Sequence, residues 1–288
     1  MFDFILYPVS AILWFWHTVF GAVLGAASGI AWVLAIFFLV FTLRALLVKP
    51  ALSQLRAGRA TQKLAPEIKK IQQKYAKDRQ RMATEVQKLH AENGSSMLGG
   101  CLPMLIQLPV FLSLYWVLRG FTPDAASNQI FDRHGVESFL NADLFGAKLG
   151  NWVSQPAAEL AAFGTDKTHM LAVGIPLMLI AGLATFFSMR LTMKRQATQS
   201  TATNPQLAVA TLVMSYLAPV GILGSGLFFP VPIAVLLYFL ATNTWTFGQT
   251  RLLSGKVDRE EERARAVAEE KKKVAAPKPG QKPSRAKR

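Results

Sequence analysis

The chain has 288 residues, is 51% hydrophobic and carries a formal net charge of +15. The apolar and the charged residues separate along it: no formal charge falls between Asp3 and Arg44, from Leu98 to Leu118, from His169 to Met189, or from Gln196 to Thr250. Runs of about 20 apolar residues cross a bilayer, so a soluble globular domain is excluded and an integral membrane protein is indicated.

The first expected element is a helix over 1–24. Asp3, Tyr7, Ser10, Trp14 and His17 recur at steps of four and three and form one stripe; Phe, Ile, Leu and Val fill the other side. Trp and Tyr favour the membrane–water interface. The stripe and Pro8 therefore point to an amphipathic helix lying on the membrane rather than an additional span. The start, MFDFILYPVS, has no basic n-region, so a removable signal peptide is not expected.

Gly25 to Gly29 (GAASG) loosens the chain, and a first span is expected within 25–50, ended by Lys49-Pro50. Residues 51–97 are polar and basic. Leu64, Ile68, Ile71 and Tyr75 keep helical spacing, as do Met82, Val86 and Leu89. Ala76-Lys77-Asp78 can turn between the two helices with Asp78 as N-cap, and Asn93-Gly94 ends the second. Neither apolar stripe can bury itself alone, so an antiparallel hairpin is expected.

A second span follows over 98–118, an external segment over 119–168, a third span over 169–190 and a short loop over 191–206. The next uncharged run is too long for one helix, and FFPVP at Phe228 to Pro232 divides it into spans at 207–229 and 231–252. Residues 253–288 form a charged helix and a tail of Lys, Pro and Arg. The fold class is thus an all-α polytopic membrane protein with five spans, a basic hairpin and an interfacial N-terminal helix.

Loop charge sets the expected orientation. Residues 51–97 carry ten Lys/Arg against four Asp/Glu, 119–168 carry four against six, and 251–288 carry thirteen against six. Basic loops stay in the cytoplasm, so the N-terminus is expected outside and the C-terminus inside. No inverted pair of halves is visible, which counts against a small-solute transporter or channel.

Catalytic and metal chemistry has little support. The chain contains no phosphate-binding glycine loop and no zinc motif. The single cysteine, Cys101, lies in an apolar segment and cannot form an intramolecular disulfide; the histidines, His17, His90, His134 and His169, have no metal-ligand spacing. Ser225 in GSGLFF resembles a serine-hydrolase turn but has no oriented histidine, and helix packing by small residues explains it better.

Arg44 is the one charge inside an apolar run. It lies five residues before Lys49, about 7.5 Å along a helix axis. Its stem could snorkel to the headgroups. Alternatively it faces a wet cavity, since an intramembrane charge costs roughly 2.5–3.5 kcal/mol on insertion scales and usually faces an interior path. Gln107, Ser113, Ser188, Ser215, Asn243, Thr244 and Gln249 could line such a cavity or serve as packing contacts between helices.

The stretch GGCLPMLIQLPVFLSLYWVL, Gly99 to Leu118, resembles the signature of the YidC/Oxa/Alb family of membrane protein insertases. The family's Leu-Pro-x-x-x-Gln-x-Pro-x-Phe core and aromatic pair fall on Leu102, Pro103, Gln107, Pro109, Phe111, Tyr115 and Trp116. The hairpin LAPEIKKIQQKYAKDRQRMATEVQKLHAENG, FFP at Phe228 and LLYFLATN from Leu236 resemble further family segments in the expected order, over about residues 30–253. Two features depart from the family: Val231-Pro232 after FFP, and a long outer segment.

The resemblance implies a short-form insertase of the bacterial plasma membrane, with no enzymatic activity and no cofactor. Arg44 falls on the family's groove arginine, with Gln107, Ser113, Ser188 and Asn243 as further groove candidates. Implied partners are nascent membrane proteins, membrane lipids and a Sec-type translocon. Lys271, Lys272, Lys273, Lys282, Arg285, Lys287 and Arg288 of the tail are the expected contacts to ribosomes or anionic lipid.

Overall fold

The computed structural model describes residues 3–93, 102–200 and 205–275. It consists of α1 (Asp3–Leu24), α2 (Gly29–Leu46), α3 (Val48–Lys74), α4 (Arg79–Glu92), α5 (Leu102–Arg119), α6 (Arg133–Asn141), the strands β1 (Asp143–Leu144) and β2 (Ala147–Lys148), α7 (Ala157–Ala162), α8 (Lys167–Ser200), α9 (Pro205–Phe228) and α10 (Ile233–Ala275). Among the described residues, three helices are long and apolar enough to cross a membrane: Asp3–Leu24, Gly29–Leu46 and Lys167–Thr192. α10 is not one of them, because Asn243, Gln249 and the threonines at 242, 244, 246 and 250 dilute its apolar run.

Several boundaries move from their sequence positions. The first span breaks at Leu47, and Lys49-Pro50 lies in the first turn of α3 instead of ending α2. Proline is tolerated there because a first-turn N–H has no intrahelical acceptor to lose. α8 runs from the expected third span through much of the expected 191–206 loop, and α10 runs from the expected fifth span into the charged segment as one helix. Residues 94–101, with Cys101, lie outside the described residues.

α1 packs against α2 and α5. Its stripe does not face one environment: Ser10 and His17 are buried with Val9, Leu13 and Gly21, while Tyr7 and Trp14 are exposed beside Phe4, Phe15, Val19 and Val23. The buried polar atoms are satisfied. His17 Nε2 lies 2.8 Å from the Ala26 carbonyl, and Ser138 Oγ donates to the same oxygen at 2.6 Å. The ring of His17 stacks on Trp32 at 3.8 Å.

The 119–168 segment is folded and completes the core. Phe121, Phe131 and Phe139 surround the fully buried Trp32, whose indole N–H donates to Ser138 Oγ at 3.2 Å. Backbone bonds tie the segment to the α9–α10 corner: Ser154 N to Gly226 O (3.0 Å), Ile233 N to Asn151 O (3.0 Å) and Ala234 N to Leu149 O (2.9 Å). The β1–β2 hairpin is a small β addition to the all-α expectation.

α3 and α4 pack against each other. Asp78 caps α4, accepting from Arg81 N at 3.0 Å, and Leu64, Ile68 and Val86 form the small core of the pair with Ile71 and Leu89. α3 is clamped to α10 by three ion pairs. Arg56 bonds Glu260 through two nitrogens at 3.1 and 2.9 Å, Arg59 meets Asp258 at 2.5 Å, and Lys63 meets Glu261 at 3.1 Å. The Arg56 hydrogen bonds and charge hold the Glu260 carboxyl below its ordinary pKa. A depressed carboxyl contributes stability above its unfolded pKa and loses it as pH falls through the folded value. Arg56→Glu should therefore increase the spread of distances between spin labels at positions 70 and 265, acidification should do the same, and the swap Arg56→Glu/Glu260→Arg should restore the narrow distribution. An unchanged distribution in Arg56→Glu would show that packing alone holds the two helices.

Candidate functional site

Three helices meet at a recess near the C-terminal end of α2. Val40, Leu43, Arg44 and Leu47 recur at steps of three and four and so share one face of α2 and the turn after it. α5 contributes Gln107 and Val110, one turn apart, and α10 contributes Tyr238. The recess measures about 260 Å³, open space at its mouth included.

Tyr238 is held in place from several sides. It is buried, its ring lies 5.7 Å from that of Phe111, and its hydroxyl accepts a hydrogen bond from the Gln107 amide. Arg44 is half-buried, and among the described residues it pairs with no carboxylate. Four aliphatic walls surround it. In such surroundings a guanidinium attracts an incoming carboxylate more strongly than it would in water, because the local dielectric is lower.

Of the five sequence candidates, the recess unites Arg44 and Gln107 but not the other three. Ser113 Oγ donates to its own helix, to the Pro109 carbonyl at 2.8 Å. Asn243 joins α10 to α8 by donating to Thr185 Oγ1 at 2.8 Å, and also donates to Phe239 O at 2.8 Å. Ser188 is buried on α8, and its hydroxyl has no partner among the described residues. Thr244 donates to Leu240 O at 2.9 Å, and Gln249 accepts from the indole of Trp245. Ser225 donates to Ile222 O at 2.8 Å, as a helical serine does. Tyr238 was not singled out from the sequence. Its signal was a phenol in the otherwise apolar LLYFL, within the last resembling segment.

Lys271 is exposed near the end of α10. The side chains of Lys272 and Lys273, and all of Lys282, Arg285, Lys287 and Arg288, lie outside the described residues.

The helices that build the recess fall within a stretch that matches known proteins. The family described as 60Kd inner membrane protein matches residues 23–260. A Mycobacterium tuberculosis protein named Membrane protein insertase YidC is 43% identical over 298 residues, covering 98% of this chain and 81% of that relative. The chain belongs to the YidC/Oxa/Alb family. Relatives bearing the same name occur in Mycobacterium leprae, 41% identical over 296 residues with 98% of this chain and 77% of that one covered, and in Streptomyces avermitilis, 36% over 249 residues with 86% and 57% covered. The family match takes in α2 to the first part of α10, and hence all seven residues of the recess. These relatives and the apolar helices make the chain a multi-pass bacterial membrane protein.

Proposed function

We propose that the chain is a membrane protein insertase that receives nascent membrane proteins in the recess around Arg44 and releases their apolar segments sideways into lipid. The observation that carries this reading is a half-buried arginine, without an internal acid among the described residues, beside the Gln107–Tyr238 bond. An acidic tail entering from the cytoplasm is attracted to Arg44. At an effective dielectric near 20, an ion pair at about 4 Å is worth on the order of 4 kcal/mol before desolvation. The hold is therefore useful and reversible. The substrate's apolar segment then leaves for the bilayer, driven by burial of its surface. A membrane potential negative inside draws acidic tails outward. Outward of the recess the side chains of Trp32, Ile36, Leu39, Leu114 and Leu118 are buried in the core, which favours a one-sided groove over a channel. The pure protein in liposomes should insert a small single-span substrate without nucleotide; failure with a correctly folded preparation would reject the reading.

Five spans with the N-terminus outside and the C-terminus inside remain the proposed topology, supported by the loop charges. In a Cys101→Ser background, cysteines at 140 and 280 should label from opposite sides. A cysteine at position 3 should label with 140 if α1 lies on the surface. Labelling of 140 and 280 from one side would sink the arrangement.

The basic tail is proposed to bind ribosomes, and a Sec-type translocon is a further proposed partner. Lys271, Lys272, Lys273, Lys278, Lys282, Arg285, Lys287 and Arg288 fall in 271–288 with no acid among them. Phosphate contacts weaken steeply with salt. Ribosome co-sedimentation should fall with salt and with deletion of 271–288. Retention after the deletion would reject the tail's role. For the translocon, cross-linking from the outer segment to a co-purified channel is the corresponding test; its absence in membranes containing both would count against that partner.

A further inference from the structure

Phe145 occupies a position that local chemistry does not favour. It forms, with Gly146, the two-residue turn of the β1–β2 hairpin, and φ is positive at both, 51° and 82°. Turns of this kind prefer Asn, Asp or Gly at the first position, and a bulky side chain with positive φ is an outlier. The ring is also 84% exposed, so no packing inside the protein compensates for the backbone.

The turn is pinned, not loose. Gly146 N bonds Asp143 Oδ1 at 2.9 Å, and Thr165 Oγ1 bonds Gly146 O at 2.7 Å. A Cβ on Gly146 would meet the His169 ring at 2.4 Å, and one on Gly29 would meet Asp143 O at 1.7 Å. The hairpin therefore rests on the first residue of α2 and the first turn of α8, the outer ends of two helices long and apolar enough to cross a membrane. Phe228 and Phe229, 79% and 63% exposed, stand at the outer end of α9, which Ser154 ties to the same segment.

We infer that Phe145 is a membrane anchor of the outer segment, its ring seated at the acyl–headgroup boundary of the lipid. Aromatic rings concentrate at that depth because the apolar body is buried while the neighbouring backbone stays hydrated. Lipid burial of the ring would compensate for a positive φ that no packing of the ring among the described residues compensates. The anchor would keep the outer segment level with the bilayer surface, and so keep the strap on the α9–α10 corner in register. The inference rests on α2 and α8 crossing the bilayer, not on which side faces out.

The test places an environment-sensitive fluorophore on single cysteines in the Cys101→Ser protein, reconstituted in phosphatidylcholine–phosphatidylglycerol vesicles. Phe145→Cys is compared with Asp124→Cys, an exposed site on the outer segment, and Leu179→Cys, an exposed site along α8. The label at 145 should be quenched several-fold more by shallow nitroxide lipids than the label at 124, and several-fold less by iodide. Iodide quenching equal to that at 124 would overturn the anchor. Protection from both quenchers would also overturn it, showing a protein partner or a second copy over the ring. If the label at 179 also escaped lipid quenching, the spanning assignment of α8 would have failed instead.

Discussion

Arg44→Ala is expected to cut the insertion of substrates with acidic translocated tails by about tenfold or more, while substrates with neutral tails stay near the wild-type rate. Tenfold corresponds to about 1.4 kcal/mol of lost stabilisation, roughly a third of the raw ion-pair attraction at a dielectric near 20. The remainder is offset by desolvation of the two charges. Arg44→Lys should keep much of the activity, because a point charge still attracts a carboxylate although the bidentate fork is lost. The recess geometry makes the contrast sharp: Val40, Leu43, Leu47 and Val110 supply no other charge, and Gln107 donates to Tyr238. A snorkelling arginine would act through headgroups and affect every cargo alike. Crossing the wild type, Arg44→Ala and Arg44→Lys with acidic and neutral tails in a protease-protection assay separates the two. Equal sensitivity of both tails would remove the electrostatic step.

The second large effect concerns stability. Gly29→Ala should lower the thermal midpoint in detergent sharply, whereas Gly248→Ala should leave it unchanged or raise it slightly. Both glycines are helical, and helix propensity alone favours alanine at either by roughly 0.5–1 kcal/mol. Their surroundings differ. A Cβ at Gly29 would overlap the Asp143 carbonyl at 1.7 Å, whereas one at Gly248 meets nothing within 4 Å. Relieving the overlap requires moving the backbone of β1, and overpacking typically costs about 1–3 kcal/mol, occasionally more. Equal midpoints for Gly29→Ala and the wild type would show that β1 does not rest on α2 as described.

Some of the site was readable in the chain because its signals are local. Arg44 stands out against an uncharged run reaching back to Asp3, and Gln107 stands between prolines in a recognisable string. The α3–α4 hairpin was readable from apolar spacing and from Asp78, whose cap depends on residues three apart. Ser113, Ser188 and Asn243 looked equivalent to Gln107, since a polar residue in an apolar helix reads the same whether it faces a recess, its own carbonyls or a neighbouring helix. The stripe on α1 is limited in the same way: periodicity places Ser10 and His17 on one side of the helix but does not say that the Ala26 carbonyl waits there.

The sequence by itself determined that this chain enters a membrane, which family it resembles, and that one arginine stands inside an apolar run. Transfer of apolar side chains from water and the cost of a buried charge are properties of short stretches, so they need no fold to be read. Only the tertiary structure decided that Tyr238, 131 residues from Gln107, closes the recess beside Arg44, and that Glu260, 204 residues from Arg56, clamps the hairpin. It also turned the 119–168 segment into a packed cap over Trp32. The reason is common to all three: a hydrogen bond or a ring contact acts over a few ångströms, and which distant residues come within that range is set by how the helices pack.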